Sequence, residues 1–355
     1  MNVLKHTRLT LVAGLVAALA PALPVLAQEI RVLNWNSYGT DAEFGLEAFK
    51  EATGITVVHD YFTSEQEMIT KLQTGAGAYD VVVVNAAMVD KVRELGLLQP
   101  LDTAALSNWD DLSAPFKEDP SVTVEGEVWG APWVWGVNGL AYNTSAVDAP
   151  VTSAAAMWDP AFEGRLSLRD DAEWQVKQAA LVLGQDMNHP EDLEAIKAKL
   201  LELKPQVKSL WASEDEFMKG MANGAYDLAE IWAGGAMRAK TTYGLPVDFV
   251  IPEDGAIAWF DTLGVPAGSK NAEAAAKFID YMISPEFYVQ WDTEIGAATS
   301  ANPKALDALP EGAFNRDVMG DPAVTSRLHF MAPLSDDERQ AIQQLWAEVK
   351  TAYAQ

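Results

Sequence analysis

The stretch "GEVWGAPWVWGVNGLAYN", residues 126–143, decides the fold. Three tryptophans and four glycines crowd into it, and it interrupts a regular alternation of short β-rich segments with amphipathic helices. Such an alternation specifies α/β architecture. The interruption reads as the chain crossing from one lobe to a second, with Trp129, Trp133 and Trp135 packed inside the crossing.

Upstream of the crossing, "RVLNWNSYG" (residues 31–39) ends a strand in a turn made by Asn36, Ser37 and Gly39. Thr40-Asp41 is placed to cap a helix with the apolar face Phe44, Ala48, Phe49 and Ala52, which Gly54 stops. A strand follows at residues 55–61. Ser64 and Glu67 form a capping-box pair for a helix carrying Met68 and Leu72 and ended by Gly75. The continuous valines of "YDVVVVN" (79–85) predict a strand buried on both faces.

Downstream, "GRLSLRDD" (164–171), a long helical region over about 173–204, and "GAYDLAEIWAGG" (224–235) belong to the second lobe. "IAWFDTLGVPAGS" (257–269) reads as the return crossing. The segment 271–291 reads as a helix that resumes the first lobe, and Ser335 and Glu338 cap a last helix with the face Ile342, Leu345, Trp346 and Val349.

Composition narrows the function. Residues 1–27 combine Lys5 and Arg8, an apolar run from Leu9 to Ala20 and a Val25-Leu26-Ala27 ending, the pattern of a secretory leader cut before Gln28. The full 355-residue sequence has no cysteine, so the exported chain has no disulfide available and relies on its core. Acids outnumber bases 51 to 25, a net charge of −26. Nucleic acid and anionic lipid are poor partners for such a surface, and a cation is drawn to it. Four histidines without ligand spacing argue against a metal centre or metal cofactor. The G-x-S-x-G elbow is missing. "GAGAYD" (75–80) lacks the third glycine of a dinucleotide fingerprint and precedes its strand, so it reads as a helix stop.

Aromatic residues recur at predicted strand ends and turns: Trp35 and Tyr38, Trp232, Trp259, and the crossing itself. Asp261 follows Trp259 by two, so in a strand ring and carboxylate face one side. "LRDDAEW" adds Asp171 with Trp174 behind it. A ring face and a carboxylate together suit an alkylammonium group. Taken singly, each tryptophan reads more often as core than as a ligand contact, and Asp170 or Asp171 alone as a helix cap.

These motifs, in the order "LNWNSY", "AYDVVVVN", "VWGVNGLAYN", "LRDDAE", "EIWAGGA", "IAWFDTLGVPAGSKN" and "SPEFYVQW" with "IGAATSANPKA", resemble the periplasmic spermidine/putrescine-binding proteins of polyamine ABC importers. The resemblance implies a two-lobe periplasmic binding protein fold of type II-like form, lobes joined by crossing strands over a ligand cleft. It implies a periplasmic monomer and non-enzyme that takes a small organic cation and serves a cognate inner-membrane ABC permease. The expected organisation is a leader at 1–27, a first lobe of 28–139 and 260–305, and a second of 140–259 and 306–355.

By the same resemblance, Trp35, Tyr38, Trp232 and Trp259 match the rings of a polyamine groove, and Asp171 and Asp261 match its ammonium-holding carboxylates. Asn85 and Ala87 stand where the family supplies a small hydroxyl residue and an aromatic. Trp174 stands where its spermidine binders carry a glutamate, Gly235 where some putrescine binders carry another acid, and Met331 near a late glutamine. Asn85 and Trp174 are therefore secondary ligand candidates. A groove that has lost its second acid disfavours a dication, which points to a shorter or singly charged amine. Within the same scaffold the alternative ligand is a monocation, a quaternary ammonium or an amino-acid-like compound. A secreted carbohydrate-active enzyme also uses tryptophan platforms, but its catalytic carboxylate spacing is missing. A polyamine-sensing partner of a membrane receptor has the same sequence features.

Overall fold

The structure, a computed structural model, describes residues 28–355; the expected leader at 1–27 lies outside them. One continuous sheet runs Thr56–Phe62, Glu29–Trp35, Val81–Asn85, Ala256–Pro266, Ala131–Asn143, Leu228–Trp232, Leu166–Arg169, Val207–Trp211. The two longest strands lie in the middle. Both are shared between the lobes.

Chain direction shows how the sharing works. Glu29–Trp35 pairs in parallel with Thr56–Phe62 and Val81–Asn85, as in a helix-connected α/β layer. The first half of Ala131–Asn143 runs antiparallel to Ala256–Pro266, from Ala131 opposite Leu263 to Val137 opposite Ala258. Its second half instead pairs with Leu228–Trp232, from Asn138 opposite Trp232 to Tyr142 opposite Leu228. Partners change between Val137 and Asn138.

Each lobe has its own core. Ile30, Val32, Val81, Val83, Trp133, Leu263, Phe278 and Ala301 join one cluster. Leu140, Leu166, Leu168, Trp174, Leu228, Ile342 and Trp346 join another. At about 25 cal/mol per Å² of apolar surface removed from water, such cores are the main support of a chain without disulfides. The chain passes between lobes a third time after Leu309, where Leu328–Phe330 pairs with Ala256–Ala258 on its way to the final helix Asp336–Tyr353.

Local signals account for many of these elements. Ser64 accepts from the Glu67 N–H, and Ser335 and Glu338 complete a reciprocal capping box. Val81–Val84 are all fully buried. Three details differ from the sequence expectation. The helix Glu43–Thr53 starts at Ala42 without a side-chain cap, because the Asp41 carboxylate accepts from the Ser37 N–H in the preceding turn. The region 173–204 splits into Ala172–Val182 and Leu193–Leu201, the second capped by Asp192. The segment 271–291 breaks at Ser284-Pro285, where serine caps and proline opens a second helix, Pro285–Glu294. Among the described residues no helix is long and apolar enough to cross a membrane.

Candidate functional site in the interlobe cleft

The turn that carries Tyr38 is fixed from beneath. The buried Asn34 amide donates to the Tyr38 carbonyl (3.0 Å) and to Thr40 Oγ1 (2.7 Å). Gly39 has φ +75°, and a Cβ there would meet the Trp291 ring at 2.5 Å, so only glycine allows the turn to lie on that tryptophan. Tyr38 stands edge-on to Trp133, 5.3 Å between ring centroids. Its hydroxyl donates to Asp261 Oδ2 at 2.8 Å.

Asp261 arrives from the other side of the sheet. It lies opposite Asn85 in the antiparallel pair, just before a register shift at Thr262. Asn85 has two tasks: its Oδ1 accepts from the Ala87 N–H to cap Ala86–Glu94 (3.1 Å), and its Nδ2 donates to Asp261 Oδ1 (2.9 Å). Asp261 is 5% exposed. Both oxygens thus receive neutral donors, and neither meets a cationic side chain. Burial pushes its carboxyl up to about 6, against the pull of the Tyr38 and Asn85 hydrogen bonds. Burial and the adjacent carboxylate raise the Tyr38 phenol well above its ordinary range, so it stays a donor.

Trp259, two residues before Asp261, lies over Gly136, where a Cβ would meet its ring at 2.4 Å. Its indole N–H donates to the buried Asn138 (3.2 Å), the residue opposite Trp232 where the crossing changes partners. Trp35 closes its strand half-buried, with its ring 4.4 Å from Phe62. Trp35, Tyr38, Asn85 and Asp261 thus come from the first lobe, and Trp259 sits in the crossing.

The second-lobe candidates surround a residue that the sequence reading did not single out. Arg169 lies with its guanidinium 5.2 Å from the Trp174 ring, 5.2 Å from Trp232 and 6.0 Å from Trp211. Asp171 pairs with it at 3.4 Å while capping Ala172–Val182 through the Trp174 N–H. Trp174 is 3% exposed and belongs to the second-lobe core beneath Arg169. Glu230, buried under the same strand end, accepts from the Arg169 N–H and the Gln175 amide; burial pushes its carboxyl up to about 7.

Glu65 was also missed. It opens the helix Glu65–Thr74, and its Oε2 is buried with no hydrogen-bond partner. Burial, then repulsion from Asp261 and Glu173, pushes its carboxyl up to about 8, and Arg339 partly offsets this. No signal in the sequence marks Glu65, which reads as an ordinary first-turn acid. No cluster of three or more metal-ligating side chains occurs among the described residues.

Two α/β lobes on shared strands, with buried carboxylates and aromatic rings between them, define a ligand-trapping protein. The chain belongs to the bacterial extracellular solute-binding proteins, whose family model matches residues 46–322. It is 35% identical over 275 residues to the spermidine/putrescine-binding periplasmic protein of Escherichia coli, covering 75% of this chain and 76% of that one. It is 28% identical over 369 residues to the putrescine-binding periplasmic protein PotF of the same species, covering 96% of each. Among solved structures, the spermidine/putrescine ABC transporter substrate-binding protein PotD from Streptococcus pneumoniae superposes with a TM-score of 0.81 at 25% identity. That match covers 92% of this chain and 99% of the other.

Proposed function

We propose that the protein is a periplasmic carrier that captures a polyamine of the putrescine and spermidine class and delivers it to the permease of an ABC importer. In this reading it works as a monomer, without catalysing a reaction. The relatives' names support the ligand class, the compartment and the importer. The change of strand partners between Val137 and Asn138 supports the first boundary of the expected division, 28–139 with 260–305 and 140–259 with 306–355, while Leu309, packed in the first-lobe core, argues for a last boundary a few residues later.

The observation that carries the reading is the state of Asp261. A buried carboxylate held only by a phenol and an amide has its geometry fixed and its charge unmatched. An alkylammonium entering the cleft supplies that charge and up to three donors. Neighbouring rings accept its methylenes. Tyr38, Asn85 and Asp261 form the ammonium seat, with Trp35 and Trp259 as the flanking rings.

A thermal-shift panel tests this. A ligand that binds only the folded state raises the melting temperature. The purified protein should respond to putrescine or spermidine above γ-aminobutyrate, choline and glycine betaine. A response to the last three alone, or to none of the five, would overturn the reading.

A further inference from the structure

The acidic side chains around the cleft are not all paired, and the unpaired ones lie close to the site. In the second lobe Asp171 is matched by Arg169 at 3.4 Å. Glu173 is matched by Arg339 at 3.3 Å and by Lys177 at 3.4 Å. Asp170 is matched by Lys350 at 2.7 Å. The tryptophan cage formed by Trp174, Trp211 and Trp232 is likewise filled, by the Arg169 guanidinium. Three of the carboxylates described above make no ion pair: Glu230, 1% exposed beneath the second-lobe strand end and held by the Arg169 N–H and the Gln175 amide with its Oε1 unpartnered, and then Asp261 and Glu65. Asp261 has neutral donors only. Glu65, among the described residues, makes neither a side-chain hydrogen bond nor an ion pair within 4 Å, and its Oε2 is sealed from water.

We propose that Glu65 is the second ligand carboxylate of the cleft. Asp261 and Glu65 hold the two ammonium groups of a linear diamine, while the second lobe supplies rings and closure instead of an ammonium partner. This rests on the polyamine reading of the same cleft and changes its chemistry. The groove has not lost its second acid. That acid has moved from the Asp171 loop to the first turn of the helix after Phe62. Asp171 and Trp232 are occupied by a side chain of the protein itself, and opening that arrangement for a ligand would strand Arg169 without its partners.

The electrostatic surroundings agree with this placement. Glu65 faces Asp261 on its own lobe and Glu173, Asp171 and Arg339 on the other, and three of these four are acids. With its carboxyl near 8, Glu65 is largely protonated in the empty protein at neutral pH. An arriving ammonium displaces that proton. The proton goes to buffer, and the ionised carboxylate accepts N–H bonds from the ligand.

Calorimetric titration with putrescine and with n-butylamine, which lacks the second ammonium, tests the assignment. The unaltered protein should bind putrescine much more tightly than butylamine. Glu65→Gln should weaken putrescine roughly ten- to a hundredfold, the range expected for a charge-assisted hydrogen bond, and leave butylamine within about twofold. An unchanged putrescine affinity in Glu65→Gln would overturn the role of Glu65 while leaving the amine-binding reading intact. Failure of the unaltered protein to bind either amine would remove that reading, and the role of Glu65 with it. A second measurement needs no variant. Repeating the putrescine titration at pH 7 in buffers of different ionisation enthalpy should report release of about one proton per ligand. A binding event that releases none overturns the protonated state of Glu65 in the empty protein.

Discussion

Asp261 is structurally costly, and the proposed function gives that cost a purpose. Its carboxylate is oriented by Tyr38 and Asn85 with no cationic side chain to neutralise it, a penalty that a cation would remove under the proposed function. Asp261→Asn keeps the shape and deletes the charge. Putrescine affinity should fall by roughly ten- to a hundredfold, while the melting temperature of the empty protein should not fall. A parallel loss of melting temperature would assign Asp261 to the core instead. Trp259, Asp261 and Tyr38 were legible in the sequence because strand periodicity and turn chemistry fix where such side chains emerge. Glu65 and Arg169 were not. Their neighbours include residues from well-separated segments of the chain, Asp261 and Glu173 for Glu65 and Trp211 and Trp232 for Arg169, and no local pattern encodes that meeting.

Among elements, the helix Ala172–Val182 separates two roles for Asp171. The side chain caps the helix and pairs with Arg169, and both tasks are structural. Asp171→Ala should destabilise the protein by about 1 kcal/mol, the usual worth of an N-cap. Asp171→Ser, which restores a capping oxygen, should recover most of that in a urea unfolding titration. Loss of putrescine binding in a stable Asp171→Ser protein would restore Asp171 as a ligand. Elements specified by adjacent residues were readable: the valine strand, the Ser64 cap and the Ser335–Glu338 box. Helix interruptions were not read, although Ser284-Pro285 carried the signal, because the flanking apolar periodicity continues across the break.

For the whole molecule, the buried acids set a pH response. Glu65, Glu230 and Asp261 sit at about 8, 7 and 6, burial being the first cause in each. A carboxyl raised on folding binds its proton more tightly in the folded state, so folding is disfavoured as pH climbs from the unfolded value near 4 through the folded one. Glu67 and Glu338 behave oppositely. Hydrogen bonds from Thr63 and Ser335 hold them at about 2, and what they contribute is lost as pH falls from about 4.5 towards 2. The empty protein should therefore melt highest at mildly acidic pH and lower towards pH 8. Saturating putrescine should flatten the upper limb, because binding tightens as Asp261 and Glu65 ionise. Melting curves with and without ligand across pH 4–8 check this, and an unliganded protein that gains stability from pH 6 to 8 would contradict it.

The three passages of chain between the lobes have a mechanical consequence. Two crossing strands side by side permit both bending and twisting of one lobe against the other. A third strand, Leu328–Phe330, bonded alongside Ala256–Ala258, braces the hinge against torsion and leaves flexure across the strands as the soft mode. The lobes then behave as a door on a wide hinge rather than two beads on a swivel. In the proposed carrier such a hinge would return Glu65 to the same facing residues at every closure, so that each ligand would meet the same charge pattern.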